Sequence, residues 1–235
     1  MNWPINIVND INSVLFPEVC FGCNARLSGG EYLLCTTCRH DLPLTDYNLT
    51  DENPVDRMFY GRVNIKKAAS FLIFSEIGMV KNLLHYLKYR NQQQIGAFFG
   101  DWFGHQLANE DKVKVDVIVG VPLHRRKQRK RGYNQLTLFG KRLAHHLNCT
   151  YREDIIKKNQ NRRTQTKKNR LARWKNTSAL YQLQDVESIK DKKIMLVDDV
   201  ITTGATMEAC VTALELGGPS QIYVVSMAIV PLNKS

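Results

Sequence analysis

No run of consecutive apolar residues in this 235-residue chain approaches the roughly 18–20 needed to cross a bilayer, so no membrane insertion is expected. The opening residues, MNWPINIVNDINSVLF, lack a basic start and carry Asp10 within their apolar part, which speaks against a secretory signal. Ile7, Ile11, Val14 and Leu15 fall instead near one face of an amphipathic helix. The expected setting is the cytoplasm. Two phosphate-binding fingerprints are also missing: neither GxGxxG nor GxxxxGK[ST] occurs, which disfavours dinucleotide folds and P-loops. There is no internal repeat and no low-complexity tract. Acids are scarce in one long segment. From Arg125 to Lys175 there are 18 Lys/Arg against only Glu153 and Asp154, so this segment carries +16, the chain as a whole +11, and the remainder −5. A solvated basic loop is the plainer explanation. So long a run nearly free of acids points rather to an anionic ligand: phosphate, pyrophosphate or nucleic acid.

What is present begins with cysteine. Four of six are paired as Cys20-x2-Cys23 and Cys35-x2-Cys38. Each pair can present two sulfurs to one ion from a tight turn, with Phe21-Gly22 and Thr36-Thr37 as knuckle residues, and the intervening residues can form a hairpin. The pattern reads as a four-cysteine tetrahedral Zn2+ site. Disulfides are the alternative, disfavoured in a cytoplasmic chain. So short a segment has little core of its own, which makes the metal's expected role structural. Cys149 and Cys210 lack motif partners and read as small buried residues.

Residues 39–60, rich in Asp, Asn and Pro, read as a linker. KKAASFLIFS (66–75) reads as a strand, EIGMVKNLLHYLKYRNQ as a helix with Met79, Leu83, Leu84 and Leu87 at helical spacing, and 94–109 as another. Then follow an apolar strand VDVIVGVPL (115–123), an amphipathic helix at 134–147, a short strand candidate DIIKK and the basic stretch NQNRRTQTKKNRLARWKN. KKIMLVDD is a second buried strand, ATMEACVTALELGG a helix closed by glycines, and QIYVVSMAIV a last strand. Apolar strands alternating with helices predict an α/β fold with a parallel sheet covered on both faces. Ligands bind such sheets at the carboxyl ends of the strands. Two strands end in unusual chemistry, Val121-Pro122-Leu123-His124 and Asp198-Asp199, which makes one site from two loops.

In VDDVITTGAT the strand Ile194–Val197 delivers Asp198 and Asp199 to that edge, and a loop over Val200–Gly204 opens a helix near Ala205. A helix start offers unpaired N–H groups and a partial positive charge to a phosphate. Thr202, Thr203 and Thr206 add hydroxyl donors, and Gly204 lets the backbone approach closely. Carboxylates repel phosphate, so they must face another part of the ligand, and neighbouring hydroxyls are natural partners for acceptor-only groups. The stretch reads as a binder of a ribose 5-phosphate.

VDDVITTGAT resembles the phosphoribosyl pyrophosphate (PRPP) signature of type I phosphoribosyltransferases. The four-cysteine ribbon, then LLHYLKYR, VGVPLHRRKQRKRGYNQ and RTQTKKNRLARWKN in that order, is similar to the ComF family, a zinc ribbon joined to a phosphoribosyltransferase domain. RGYNQ (131–135) and the PRPP loop are the most specific parts of the match. The resemblance implies a helix and zinc ribbon over residues 1–45 and a type I phosphoribosyltransferase-like domain over 46–235, with a mobile basic loop at about 159–178. It implies that Asp198 and Asp199 hold the ribose 2- and 3-hydroxyls and that Thr202, Thr203, Gly204, Ala205 and Thr206 hold the 5-phosphate. Val121–His124, helped by Arg125 and Arg126, would meet the pyrophosphate. Lys167, Lys168 and Arg170 would neutralise the departing pyrophosphate, and Mg2+ would be held mainly by ligand oxygens. The implied reaction is displacement of pyrophosphate at C1 of ribose by a nitrogen nucleophile. Thr202 stands where 6-oxopurine salvage enzymes carry an acid, which argues against that acceptor. Some ComF proteins are required for DNA uptake in natural transformation, which brings single-stranded DNA and competence machinery such as a DNA helicase in as partners. The alternative is a non-catalytic module that senses PRPP and binds single-stranded DNA, with Tyr86, Tyr89, Tyr133 and Trp174 as candidate stacking residues.

Overall fold

The computed structural model describes residues 17–110, 113–159 and 180–231. The expected N-terminal helix and most of the basic stretch, including Lys167, Lys168, Arg170 and Trp174, lie outside them, as does the side chain of Arg125. Five strands form one parallel sheet in the order β1-β7-β6-β2-β3: β1 Lys67–Ile73, β2 Val117–Gly120, β3 Thr150–Arg152, β6 Lys193–Ile201 and β7 Gln221–Ile229. Strands β6 and β7 are buried over most of their length and pair along it. Their near-continuous apolar sequences are those of strands covered on both faces.

Helices flank the sheet. Helix α3 (Met79–Tyr89) buries Leu83, Leu84 and Leu87 as their spacing predicts, with Val80 rather than the half-buried Met79 completing the apolar stripe. Helix α4 (Gln94–Ala108) packs along α6 (Thr137–His146), and Phe71 of β1 meets Phe99, Trp102 and Phe103 of α4. Helix α7 (Ala205–Glu215) lies against β6. A separate antiparallel ribbon, β4 (Ile156–Lys158) with β5 (Tyr181–Leu183), brackets the basic stretch, with Lys158 opposite Tyr181.

Two expectations change. Residues 39–60 are not a linker. Leu42, Leu49, Val55, Met58 and Phe59 are buried, and Thr45 N donates to Phe71 O at 3.0 Å while Ile73 N donates to Pro43 O at 2.8 Å. This segment therefore pairs along β1, the edge strand, which would otherwise expose its hydrogen-bonding groups. Its Asn and Asp have structural work: Asn53 caps α2 (Pro54–Arg57) in a capping box with Asp56, and Asp56 accepts from Ala68 N at 2.6 Å. The second change concerns β6, which does not end at Asp199. It continues through both aspartates to Ile201, because β7 is equally long and supplies partners as far as Ile229. Helix α5 (Arg125–Arg131) and strands β3 and β5 were not foreseen from the sequence.

Candidate functional site

The four cysteines form one cluster, with all four sulfurs within 4.8 Å of one another. The first knuckle is a tight turn in which Asn24 N donates to Cys20 O at 2.8 Å and Cys20 N to Ala25 O at 2.8 Å. Cys35 caps helix α1 (Thr36–His40), its sulfur accepting from Cys38 N at 3.4 Å. Gly22 N and Cys35 N donate to Cys20 Sγ at 3.4 and 3.3 Å. Burial acts to raise the Cys20 thiol, but these donors outweigh it and bring it down to about 7. The Cys23–Cys35 sulfur separation of 3.8 Å is what a tetrahedral ion with metal–sulfur bonds of about 2.3 Å requires. None of the four forms a disulfide. The donor set fits one structural metal ion, with N–H groups already directed at the sulfurs.

At the carboxyl edge of the sheet, Val121 N donates to Val197 O at 2.9 Å, which holds the Val121–His124 turn beside the aspartates. Adjacent positions on a strand point to opposite faces. Asp199 turns toward α3 and the start of α6: Lys88 Nζ lies 2.7 Å from its Oδ1, and Gln135 Nε2 donates to its Oδ2 at 2.6 Å. Asp198 turns the other way, toward Lys158, Tyr181 and Cys210 of α7. Burial, and then the neighbouring Asp199 carboxylate, push the Asp198 carboxyl up to about 8, against the pull of the Asp199 N–H, which donates to Asp198 Oδ1 at 2.8 Å, and of Lys88 and Lys158.

Beyond the strand, Thr202, Thr203, Ala205 and Thr206 are exposed. Gly204 sits at the N-cap with φ +75°, a left-handed conformation that costs glycine little, and a Cβ there would stand 3.1 Å from the Phe59 ring. Glu208, the acid in the first turn of α7, is paired with Arg62, which also donates to Thr203 O at 2.9 Å. The helix start is thus left with its positive end toward solvent. Pro122, Leu123, Gln128 and Asn134 line a cavity of about 340 Å³ together with Lys157 and Lys158 and the acids Glu153 and Asp154. His124 caps α5, whose residues Arg126–Lys130 are exposed.

The described residues therefore bring the acid pair, the Thr202–Thr206 loop and the Val121–His124 turn to one edge. Lys88, Gln135, Arg62 and Lys158 were not identified from the sequence. Lys88 and Gln135 lie within LLHYLKYR and RGYNQ, stretches in which only the tyrosines carry a candidate role in the sequence. Arg62 carried no signal, since its partners are far along the chain.

Residues 137–231 match the phosphoribosyl transferase domain family. The chain is similar to the DNA utilization protein YhgH of Escherichia coli K12, with 23% identity over 88% of this chain and 95% of that one. It is similar to competence protein ComFC of Bacillus subtilis, at 25% identity over 81% of this chain and 75% of the relative. Competence protein F of Haemophilus influenzae shares 32% identity over 48% of this chain and 50% of its own. Among solved structures, the glutamine PRPP amidotransferase of B. subtilis matches 62% of this chain and 30% of its own, at 20% identity and a TM-score of 0.44.

Proposed function

The domain match, the competence-named relatives and the four-cysteine cluster fit a ComF-family protein, and from that premise we propose that the chain is a Mg2+-dependent, PRPP-binding phosphoribosyltransferase acting in DNA uptake. The observation that carries this reading is a carboxylate pair on β6 three residues before an exposed Thr/Gly loop and a helix start. Asp199 accepts from the ribose 2- and 3-hydroxyls, with the buried, protonated Asp198 beside it on β6, and Thr202–Thr206 with the start of α7 hold the 5-phosphate. The Val121–His124 turn and Arg126 are placed to meet the pyrophosphate, and Arg125, whose side chain lies outside the described residues, is a further candidate. The donor set of oxygens on PRPP suits Mg2+, a hard cation. Lys167, Lys168 and Arg170, which lie outside the described residues, are the candidates to neutralise the departing pyrophosphate. In the reaction the bond from C1 to the pyrophosphate oxygen breaks, with its electron pair leaving on pyrophosphate. A nitrogen lone pair forms the new bond to C1, and the nitrogen's proton passes to solvent.

Four cysteines hold Zn2+ in a module spanning residues 1–45, and the transferase-like domain spans 46–235. A cytoplasmic setting, where thiols stay reduced, suits that site. No helix among the described residues is long and apolar enough to cross a membrane. Single-stranded DNA is the polyanion proposed for the exposed basic face of α5, where Tyr89 is 61% exposed with the Arg131 guanidinium 5.1 Å from its ring centre. Tyr133 and Tyr86 are less available for stacking: Tyr133 donates its hydroxyl to Leu87 O, and Tyr86 packs on Phe21 and donates to Asn24.

The reading is tested by pyrophosphate release from PRPP·Mg2+ with a panel of nitrogen bases. One class of base is expected to trigger release, and Asp199→Asn to slow it by about a hundredfold or more. Failure of every base to trigger release from protein that binds PRPP·Mg2+ overturns the transferase reading in favour of a non-catalytic PRPP-sensing, DNA-binding module.

A further inference from the structure

We propose that Lys88 and the RGYNQ motif form a positioning clamp that orients the Asp199 carboxylate toward the ribose hydroxyls, an inference that rests on the PRPP reading of the site. Each residue of the motif contributes to one arrangement. Arg131 lies over the Tyr89 ring and donates to Gln135 Oε1, which fixes the side-chain amide with its nitrogen toward Asp199. Gly132, at φ +77°, ends α5 and turns the chain back without strain. Tyr133 donates its hydroxyl to the carbonyl of Leu87, one residue before Lys88, and so ties the motif to the end of α3. Asn134 Oδ1 accepts from Leu136 N at 3.1 Å and sets the start of α6 just after Gln135.

The result is a chain of contacts from Tyr89 through Arg131 and Gln135 to one oxygen of Asp199, while Lys88 holds the other. The two donors reach different oxygens, at 2.7 and 2.6 Å, so they fix the plane of the carboxylate as well as its position. Each oxygen keeps a second lone pair for an incoming hydroxyl. A cation serving only to balance charge needs no second donor and no fixed plane. Lysine and the amide nitrogen are donors with no acceptor at those atoms, so they hold the acid without competing for the ligand's hydroxyls. The side chains of Lys88 and Asp199 are only 21% and 13% exposed, which limits screening by solvent and restricts their motion. Preorganisation of this kind lowers the ordering cost when the ligand arrives.

The test is a double-mutant cycle on PRPP·Mg2+ affinity, measured by calorimetry with the full chain, with unfolding midpoints recorded for every variant. Lys88→Met keeps the apolar stem and is expected to weaken binding about tenfold or more, while Lys88→Arg recovers most of that loss. Gln135→Leu is expected to weaken binding similarly and carries the test should Lys88→Met fail to fold. In an Asp199→Asn background, adding Lys88→Met is expected to cost less than about twofold, because both act through the same carboxylate. Full affinity in Lys88→Met and Gln135→Leu, or losses that add to that of Asp199→Asn, overturns the clamp and leaves the PRPP reading standing. Wild-type protein that does not bind PRPP·Mg2+ overturns both.

Discussion

The two carboxylates of β6 sit side by side in sequence and in different surroundings. Asp199 is held by Lys88 and Gln135, whereas burial and the Asp199 charge push Asp198 up to about 8. Between the ordinary carboxylate range and about pH 8, the folded chain therefore keeps a proton on Asp198 that the unfolded chain has released. Stability contributed by this group is fully present below the unfolded value and is lost as pH rises through about 8. Asparagine carries no such proton. The stability advantage of Asp198→Asn over wild type is thus expected to grow from pH 5 to about pH 8 and to level off above it, as read from unfolding midpoints across pH. A difference that stays flat with pH would contradict the buried-acid account. The sequence makes the pair legible as chemistry, because adjacent acids before a Thr/Gly loop are hard to explain otherwise. It does not reveal that the two face opposite sides. That follows from β6 continuing to Ile201, and the continuation depends on a partner strand more than twenty residues away.

Helix α3 links the two chemistries of the molecule. Asn82 Nδ2 donates to Gly22 O at 3.1 Å in the first cysteine knuckle, and Tyr86 reaches Asn24 with its ring on Phe21. The end of the same helix places Lys88 on Asp199. A metal ion bound by the cysteines would thus also brace the helix that carries Lys88. Chelation is expected to release one zinc per chain, read with a chromogenic chelator, and to lower the unfolding midpoint by more than about 5 °C. An unchanged midpoint after metal removal would contradict a structural role. The helix itself is legible from the spacing of Met79, Leu83, Leu84 and Leu87; its docking on the knuckle is not, since nothing in the spacing of Asn82 and Tyr86 points to the cysteines. Residues 39–60 misled for a related reason. Asn53 and Asp56 resemble loop residues, and only the structure shows them capping a helix and bonding β1.

Across the whole molecule, the fold is legible because the long apolar strands and amphipathic helices alternate in order, and the five-stranded parallel sheet follows from them. Short pieces are not. The three-residue strands β3 and β5 have too few positions to show a period, and α5 is so basic that its sequence reads as a charge run. Charge is as uneven as composition suggests: the excess between Arg125 and Lys175 includes α5, which begins one residue beyond the Val121–His124 turn at the edge where the aspartates sit. An electropositive surround of this kind favours arrival of a highly anionic ligand. The central claim is that this edge takes PRPP with Mg2+, and isothermal calorimetry tests it most directly. The account predicts one site per chain with a dissociation constant in about the micromolar range, dependent on Mg2+ and lost in Asp198→Asn/Asp199→Asn. No binding by the wild-type chain, or equal binding by the double variant, would contradict it.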